Sequence, residues 1–199
     1  MSDFDIETHL LNSHHKFICG IDEVGRGALF GPVVAGAVIL DPHRLDNRID
    51  DSKKLNPGKR QELAHFIYTH AQAYSIGWSW NEEIDRINIL EATKIAMTRA
   101  VRHMQIRPDF ILLDGLAPDF LGIDGMKIIG GDRKSMSIAA ASIIAKVFRD
   151  HLVQSFSRFF PDYHLAKNKG YPTQMHKNML LLNGMTPYHR ESFKCKNGS

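Results

Sequence analysis

Phe17-Ile18-Cys19-Gly20-Ile21-Asp22-Glu23-Val24-Gly25-Arg26-Gly27 is an apolar run that ends in two carboxylates and a glycine-arginine-glycine turn. Its β-branched and aromatic residues read as a buried strand over about 16–23. The strand delivers Asp22 and Glu23 to its own end, where oxygen ligands for a hard divalent cation are useful. The two glycines allow close backbone approach to a ligand, and Arg26 places a planar donor fork for phosphate beside them. Neighbouring residues on a regular strand point to opposite faces. Asp22 and Glu23 therefore share a site only if the strand bends or ends there.

Working outward, Pro32-Val33-Val34-Ala35-Gly36-Ala37-Val38-Ile39-Leu40 is too β-branched for a helix and reads as a second strand. The short connection makes the two strands an antiparallel pair. Asp50-Asp51-Ser52-Lys53-Lys54-Leu55 is a charged loop, after which Asn56 caps a helix with Pro57 at its first position. Leu63, Phe66, Ile67 and Ala71 give that helix an apolar face. Tyr74–Trp80 alternates as a third strand. Asn81 opens a short acidic helix, and Leu90, Thr93, Met97, Val101 and Met104 mark a longer one.

Two more strands, about 109–114 and 126–130, end at Asp114-Gly115 and at Gly130-Gly131-Asp132. Residues 135–156 form the most apolar helix, with little polar surface before Lys146, and Thr173 caps a later helix that Gly184 closes. Residues 1–15 are polar, a short helix or a loose lead-in. Three strands in meander followed by helix–strand–helix alternation predict an α/β fold: a mixed five-stranded sheet flanked by helices. The expected division is a single domain over 1–199. An α/β core spans about 16–160, and a helical, basic, substrate-binding region spans about 161–199.

Hydrophobic content of 43% and charged content of 24% place the 199 residues among globular chains rather than disordered ones. Charge is unevenly spread. Of the 25 basic and 22 acidic residues, 11 basic and 3 acidic fall in 133–199, which leaves 14 basic and 19 acidic in 1–132. A net −5 followed by a net +8 suits a cation site beside a polyanion-binding surface, and equally a solvated basic face. Two cysteines, Cys19 and Cys195, offer neither a disulfide framework nor zinc spacing. With no signal-peptide pattern and no apolar run of membrane length, the expectation is a soluble cytoplasmic protein, monomeric by default.

Carboxylates close three strands: Asp22 and Glu23, then Asp114, then Asp132. Each alone also suits a turn or a helix cap. Together they would repel one another unless cations neutralise them, and an oxygen-only set points to Mg2+ or Mn2+ rather than zinc. Two such ions about 4 Å apart can clamp the attacking and leaving oxygens of a phosphodiester displacement. A pure binding module would gain nothing from negative charge beside phosphates. A glycosidase pair formed by Asp22 and Glu23 fails because adjacent strand residues are poorly placed for opposed roles across one bond. Ser52, Lys53, Lys54 and Lys146 are candidate phosphate contacts, each with an ordinary surface or helix-edge alternative. His151, His164, His176 and His189 read mostly as surface residues, and Cys19 as a small core residue.

These motifs resemble the prokaryotic type 2 ribonuclease H (ribonuclease HII) family. The shared segments are Gly20–Gly27, Gly31-Pro32-Val33-Val34, Asp51–Leu55, Leu113-Asp114-Gly115, Gly131-Asp132, Ser137–Asp150, Lys169–Thr173 and His189–Phe193, in family order. The resemblance implies a ribonuclease H-like fold. It also implies a two-metal endonuclease, using Mn2+ or Mg2+, that cuts the RNA strand of RNA/DNA hybrids and incises 5′ of ribonucleotides embedded in duplex DNA. The products would carry 3′-hydroxyl and 5′-phosphate ends. By motif position, Asp22, Glu23, Asp114 and Asp132 are then the metal-binding carboxylates. Gly25, Arg26 and Gly27 read the ribose 2′-hydroxyl, and Tyr171 stacks on the following deoxyribose. One position departs: Asn168 stands where the family commonly has histidine, so no titrating role is assigned to it.

Overall fold

The computed structural model describes residues 2–50, 52 and 55–193. Helix α1 (Asp5–Asn12) leads into β1 (Ile18–Val24) and β2 (Val33–Ile39), followed by α2 (Pro57–His70), β3 (Ala73–Ser79), α3 (Asn81–Ile87) and α4 (Ile89–Arg102). Then come β4 (Phe110–Asp114), β5 (Gly125–Ile128), the long α5 (Met136–Ser155), the short α6 (Leu165–Asn168) and α7 (Gln174–Asn183). Single 3₁₀ turns lie at Pro118–Leu121, Gly131–Arg133, Phe156–Arg158 and Pro161–Tyr163.

The five strands form one mixed sheet in the order β3-β2-β1-β4-β5. The first three make the expected antiparallel meander, with Asp22 opposite Gly36 and Glu23 opposite Ala35. Strands β4 and β5 return parallel to β1 through helical crossovers. Caps act where the sequence places them. Asn56 Oδ1 accepts from the Lys59 N–H at 2.9 Å, and Thr173 Oγ1 accepts from the His176 N–H at 3.2 Å. The cap of α5 is Ser135, whose hydroxyl accepts from the Ile138 N–H at 3.2 Å, rather than Asp132.

One face of the sheet carries Cys19, Ile21, Ala35, Ala37, Ile111 and Leu113 and packs on α4 through Ala92, Ala96, Met97 and Ala100. Leu90, expected on that stripe, is 38% exposed. The small alanines occupy the sheet-facing side and bring α4 close, which leaves Leu90 at the edge of the contact. On the opposite face α5 lies against β1 and β2. A side chain at Gly20 would collide with the Ser137 backbone, and one at Gly36 with the Ala141 carbonyl. The two glycines let α5 rest its own backbone on the strands. Helix α5 is further pinned at its start, where the buried Glu7 of α1 accepts from the Ser135 hydroxyl at 2.6 Å and the Ser137 N–H at 2.9 Å. Cys19 is fully buried, and burial pushes its thiol up to about 12, which suits a core residue and no nucleophile.

Gly20→Ala should destabilise the fold by about 3 kcal/mol, because neither backbone can yield without moving α5. Gly58→Ala, in a helical position with room for the methyl, should change stability by less than about 1 kcal/mol in the favourable direction. Paired urea melts of the two variants check this. Equal midpoints would show that α5 does not need the close approach.

Candidate active site

Strands β1 and β4 are paired only as far as Ile21 and Leu113. Beyond that point the two parallel strands separate, β1 staying with β2 and Asp114 of β4 staying with Ile128 of β5. A crevice at the carboxyl ends of parallel strands is where open α/β sheets bind ligands. Here it is a cleft of about 350 Å3 lined by Asp22, Glu23, Val24, Ser52, Asp114, Ser142, Lys146 and Tyr171. Asp22 and Glu23 do share this cleft, because they occupy the end of β1 where the β4 partner is missing.

Each carboxylate is held by its neighbours. The Glu23 N–H donates to Asp22 Oδ1 at 2.8 Å, and the Gly131 N–H donates to Asp114 Oδ1 at 2.8 Å. The Ser142 hydroxyl also hydrogen-bonds Asp22, and it lies 2.9 Å from the Ser52 hydroxyl. Burial, then the negative charges of Glu23 and Asp114, push the Asp22 carboxyl up to about 8. Glu23 is raised as well, first by burial, while the Arg26 guanidinium 3.1 Å away pulls it back. Asp132, one residue past Gly131, is 3% exposed and is not part of the cleft lining.

The donor set fits a hard divalent cation: three carboxylates and two serine hydroxyls, with no sulfur or imidazole in the lining. Among the described residues, no three His, Cys, Asp or Glu side chains already form a closed ion-gripping cluster. Burial and mutual repulsion raise the Asp22 and Glu23 carboxyls, a cost that a bound cation would relieve. Lys146, the cation in the cleft, is committed to Asp150 at 2.8 Å. Its ammonium lies 5.2 Å from the centre of the Tyr171 ring, and the Arg149 guanidinium also lies 5.2 Å from that centre.

The turn after β1 sits at the rim. Gly25 has φ +92°, and a Cβ there would collide with the Arg149 side chain. Open space surrounds Gly27. Arg26, expected to offer its fork to phosphate, is instead paired with Glu23 in this state. Ser52 lines the cleft, whereas Lys53 and Lys54 lie outside the described residues.

Sequence reasoning missed Ser142, Arg149 and Arg190. Arg149 is fully buried and donates to the carbonyls of Pro32, Lys169 and Phe30 at 3.0, 2.9 and 2.9 Å. Arg190, also fully buried, donates to those of Gly31 and Arg26 at 3.0 and 2.9 Å. The two guanidiniums staple the Gly25–Gly27 turn, the Phe30–Pro32 strand entry and the Lys169–Gly170 segment together. The only hint in the sequence was an arginine inside an otherwise apolar helix. The surface expectation for the histidines is corrected at two positions, since His176 and His189 are 0% and 1% exposed. Asn168 is buried, and both ends of its amide are used. Its Nδ2 donates to the Tyr163 carbonyl at 2.7 Å and its Oδ1 accepts from the Gly170 N–H at 2.8 Å.

The family model described as Ribonuclease HII matches residues 19–196. A ribonuclease HII of Magnetococcus marinus is 48% identical over 197 residues, covering 96% of this chain and 92% of its own length. The chain belongs to the ribonuclease HII family. Its class of chemistry follows: a metal-dependent hydrolase of the ribonuclease H type. Among solved structures, the ribonuclease HII of the PCNA:RNase HII complex from Archaeoglobus fulgidus aligns with a TM-score of 0.77. It is 25% identical, over 92% of this chain and 98% of that one. Bst-RNase HIII, solved in complex with Mn2+, aligns at a TM-score of 0.62 over 84% of this chain and 63% of its own. At 21% identity that likeness speaks for the ribonuclease H-like fold alone.

A carboxyl whose folded value lies above its ordinary 3.8 costs stability wherever the unfolded chain is ionised and the folded one is not. For Asp22 the cost begins near pH 4 and grows until about 8. In chelator, Asp22→Asn should therefore melt at a higher temperature than the unaltered protein at pH 8, and at the same temperature at pH 4 and below. A variant no more stable at pH 8 would show that the Asp22 carboxyl is not raised.

Proposed function

We propose that the protein is an endoribonuclease that hydrolyses the RNA strand of RNA/DNA hybrids and incises 5′ of ribonucleotides embedded in duplex DNA. It would leave 3′-hydroxyl and 5′-phosphate ends. The observation that carries this reading is the cleft itself: Asp22, Glu23 and Asp114 line it together with Tyr171, and its lining residue Val24 runs straight into the Gly25–Gly27 turn. Asp22, Glu23 and Asp114, with Asp132 behind Gly131, would hold Mn2+ or Mg2+. Bound there, such ions activate water and neutralise charge on the phosphate.

The chain's own residues set the geometry. The Glu23 and Gly131 N–H groups aim one oxygen each of Asp22 and Asp114. Ser142 fixes Asp22 from α5, and Ser52 supports Ser142. The turn at Gly25–Gly27 offers backbone groups to the ribose 2′-hydroxyl, the group that separates RNA from DNA at a site. Open space at Gly27 leaves room for that approach. The Tyr171 ring, backed by Lys146 and Arg149, presents a flat face to the next sugar. Lys53, Lys54 and Lys146 complete the proposed phosphate contacts, and the basic residues after 132 extend them along the duplex.

Duplex DNA carrying one ribonucleotide, incubated with Mg2+ or Mn2+, should be cut on its 5′ side, and chelator should abolish the cut. No metal-dependent incision would overturn the proposal. Asp22→Asn should lose at least a thousandfold in rate while still binding the duplex. Arg26→Ala should keep divalent-ion binding, followed by calorimetry, yet lose about tenfold in kcat/KM, close to 1.4 kcal/mol. Unchanged turnover would remove Arg26 from the site.

A further inference from the structure

A one-way chain of buried hydrogen bonds leads from the C-terminal segment to the cleft. The Thr186 N–H lies 2.9 Å from His189 Nδ1, His189 Nε2 lies 3.0 Å from His176 Nε2, and His176 Nδ1 lies 2.9 Å from the Tyr171 carbonyl oxygen. A backbone N–H only donates and a carbonyl only accepts. His189 Nδ1 must therefore be bare, and His176 Nδ1 must carry hydrogen. A neutral imidazole has one N–H, so the hydrogen of His189 is on Nε2 and points at the bare Nε2 of His176. Only this pair of tautomers satisfies all three contacts.

Adding a proton to either ring breaks the chain. On His176 it would set an N–H against the His189 N–H, and on His189 it would set one against the Thr186 N–H, with only the Thr186 hydroxyl, 2.8 Å from Nδ1, able to turn and accept it. The surroundings also oppose it. The titratable group packed on both rings besides each other is Tyr163, and the charged neighbour in the chain is the buried cation Arg190. Burial and the opposing ring push His189 down to about 4, and burial lowers His176 too. The rings are wedged against Tyr163, and His189 meets Phe30 edge-on at 5.0 Å between centres.

The same segment also holds the turn that follows the cleft residue Val24. Arg190 donates from its backbone to the Leu29 carbonyl at 2.8 Å and from its side chain to that of Arg26 at 2.9 Å. We propose that His176 and His189 are positioning residues: an uncharged relay that sets Tyr171 at a fixed distance from the Gly25–Gly27 turn. This rests on the reading that Tyr171 and the turn both contact substrate. Neither imidazole lines the cleft, so both act through Tyr171.

Two measurements test the relay. In the unaltered protein at pH 6.0, long-range 1H–15N spectra should show His176 as the Nδ1–H form and His189 as the Nε2–H form, with a coupling across the N–H···N bond. A protonated ring, or the opposite tautomers, would overturn the proposal without any variant having to fold. Kinetically, on the single-ribonucleotide duplex, Tyr171→Ala should lower kcat/KM about tenfold. His176→Phe should lose a similar amount in the same parameter, kcat or KM, with divalent-ion binding unchanged. The double variant should be no worse than Tyr171→Ala alone. His176→Asn, whose side-chain N–H can replace Nδ1–H toward the Tyr171 carbonyl, should recover most of the loss. If Tyr171→Ala costs nothing, the contact assigned to Tyr171 fails and the relay with it. If Tyr171→Ala is costly while folded His176→Phe is not, or if the losses multiply, the relay alone is wrong.

Discussion

The seating of α5 on β1 and β2 is the constraint from which the site follows. Gly20 and Gly36 put no side chain between strand and helix, so the Ser137 and Ala141 backbone comes down onto the sheet. Once α5 is fixed there, residues three or four apart along its inner stripe meet β1 and its turn in order. Ser142 meets Asp22, Lys146 enters the cleft, Arg149 fills the space beneath Gly25, and Val153 packs with Phe30. Side-chain positions good to fractions of an ångström are built on a rigid scaffold in this way, not on loops.

That seating places charge where it is costly. Asp22 is pressed into a low-dielectric corner beside Glu23 and Asp114, while Arg149 and Arg190 are buried with carbonyl oxygens as partners. The carboxylates line the cleft at the end of β1, while the two guanidiniums are spent on the backbone of the Gly25–Gly27 turn and the segments packed on it. Among the described residues, the ion pair between the turn and the acids is Arg26–Glu23, with Arg26 44% exposed and Glu23 14%. With its guanidinium open to solvent, Arg26 can exchange Glu23 for a ligand.

Much of this was legible in the sequence because it depends on local pattern. The five strands and the opening meander, the Asn56 and Thr173 caps and the carboxylates at strand ends follow from periodicity, capping chemistry and glycine placement. What was not legible depends on three-dimensional neighbours. Arg149 reads as a charged residue on a helix face, yet that face is covered by the segment around Lys169, far along the chain. His176 and His189 read as surface residues because nothing local reveals that they hydrogen-bond each other in the interior. Asp132 matches Asp114 as a strand-end acid but stands outside the cleft lining. Asn168, conspicuous as a departure from the family, turns out to spend its whole amide on holding Tyr163 and Gly170.

Arg190 reaches far back along the chain. It closes a turn made 164 residues earlier, and it does so together with the segment that carries His189. All five strands, α5 and the four acids lie within residues 18–155, so they precede this fastening along the chain. The acids are gathered by contacts among residues 18–155, whereas the turn beside them is fastened by a residue from the far end of the fold.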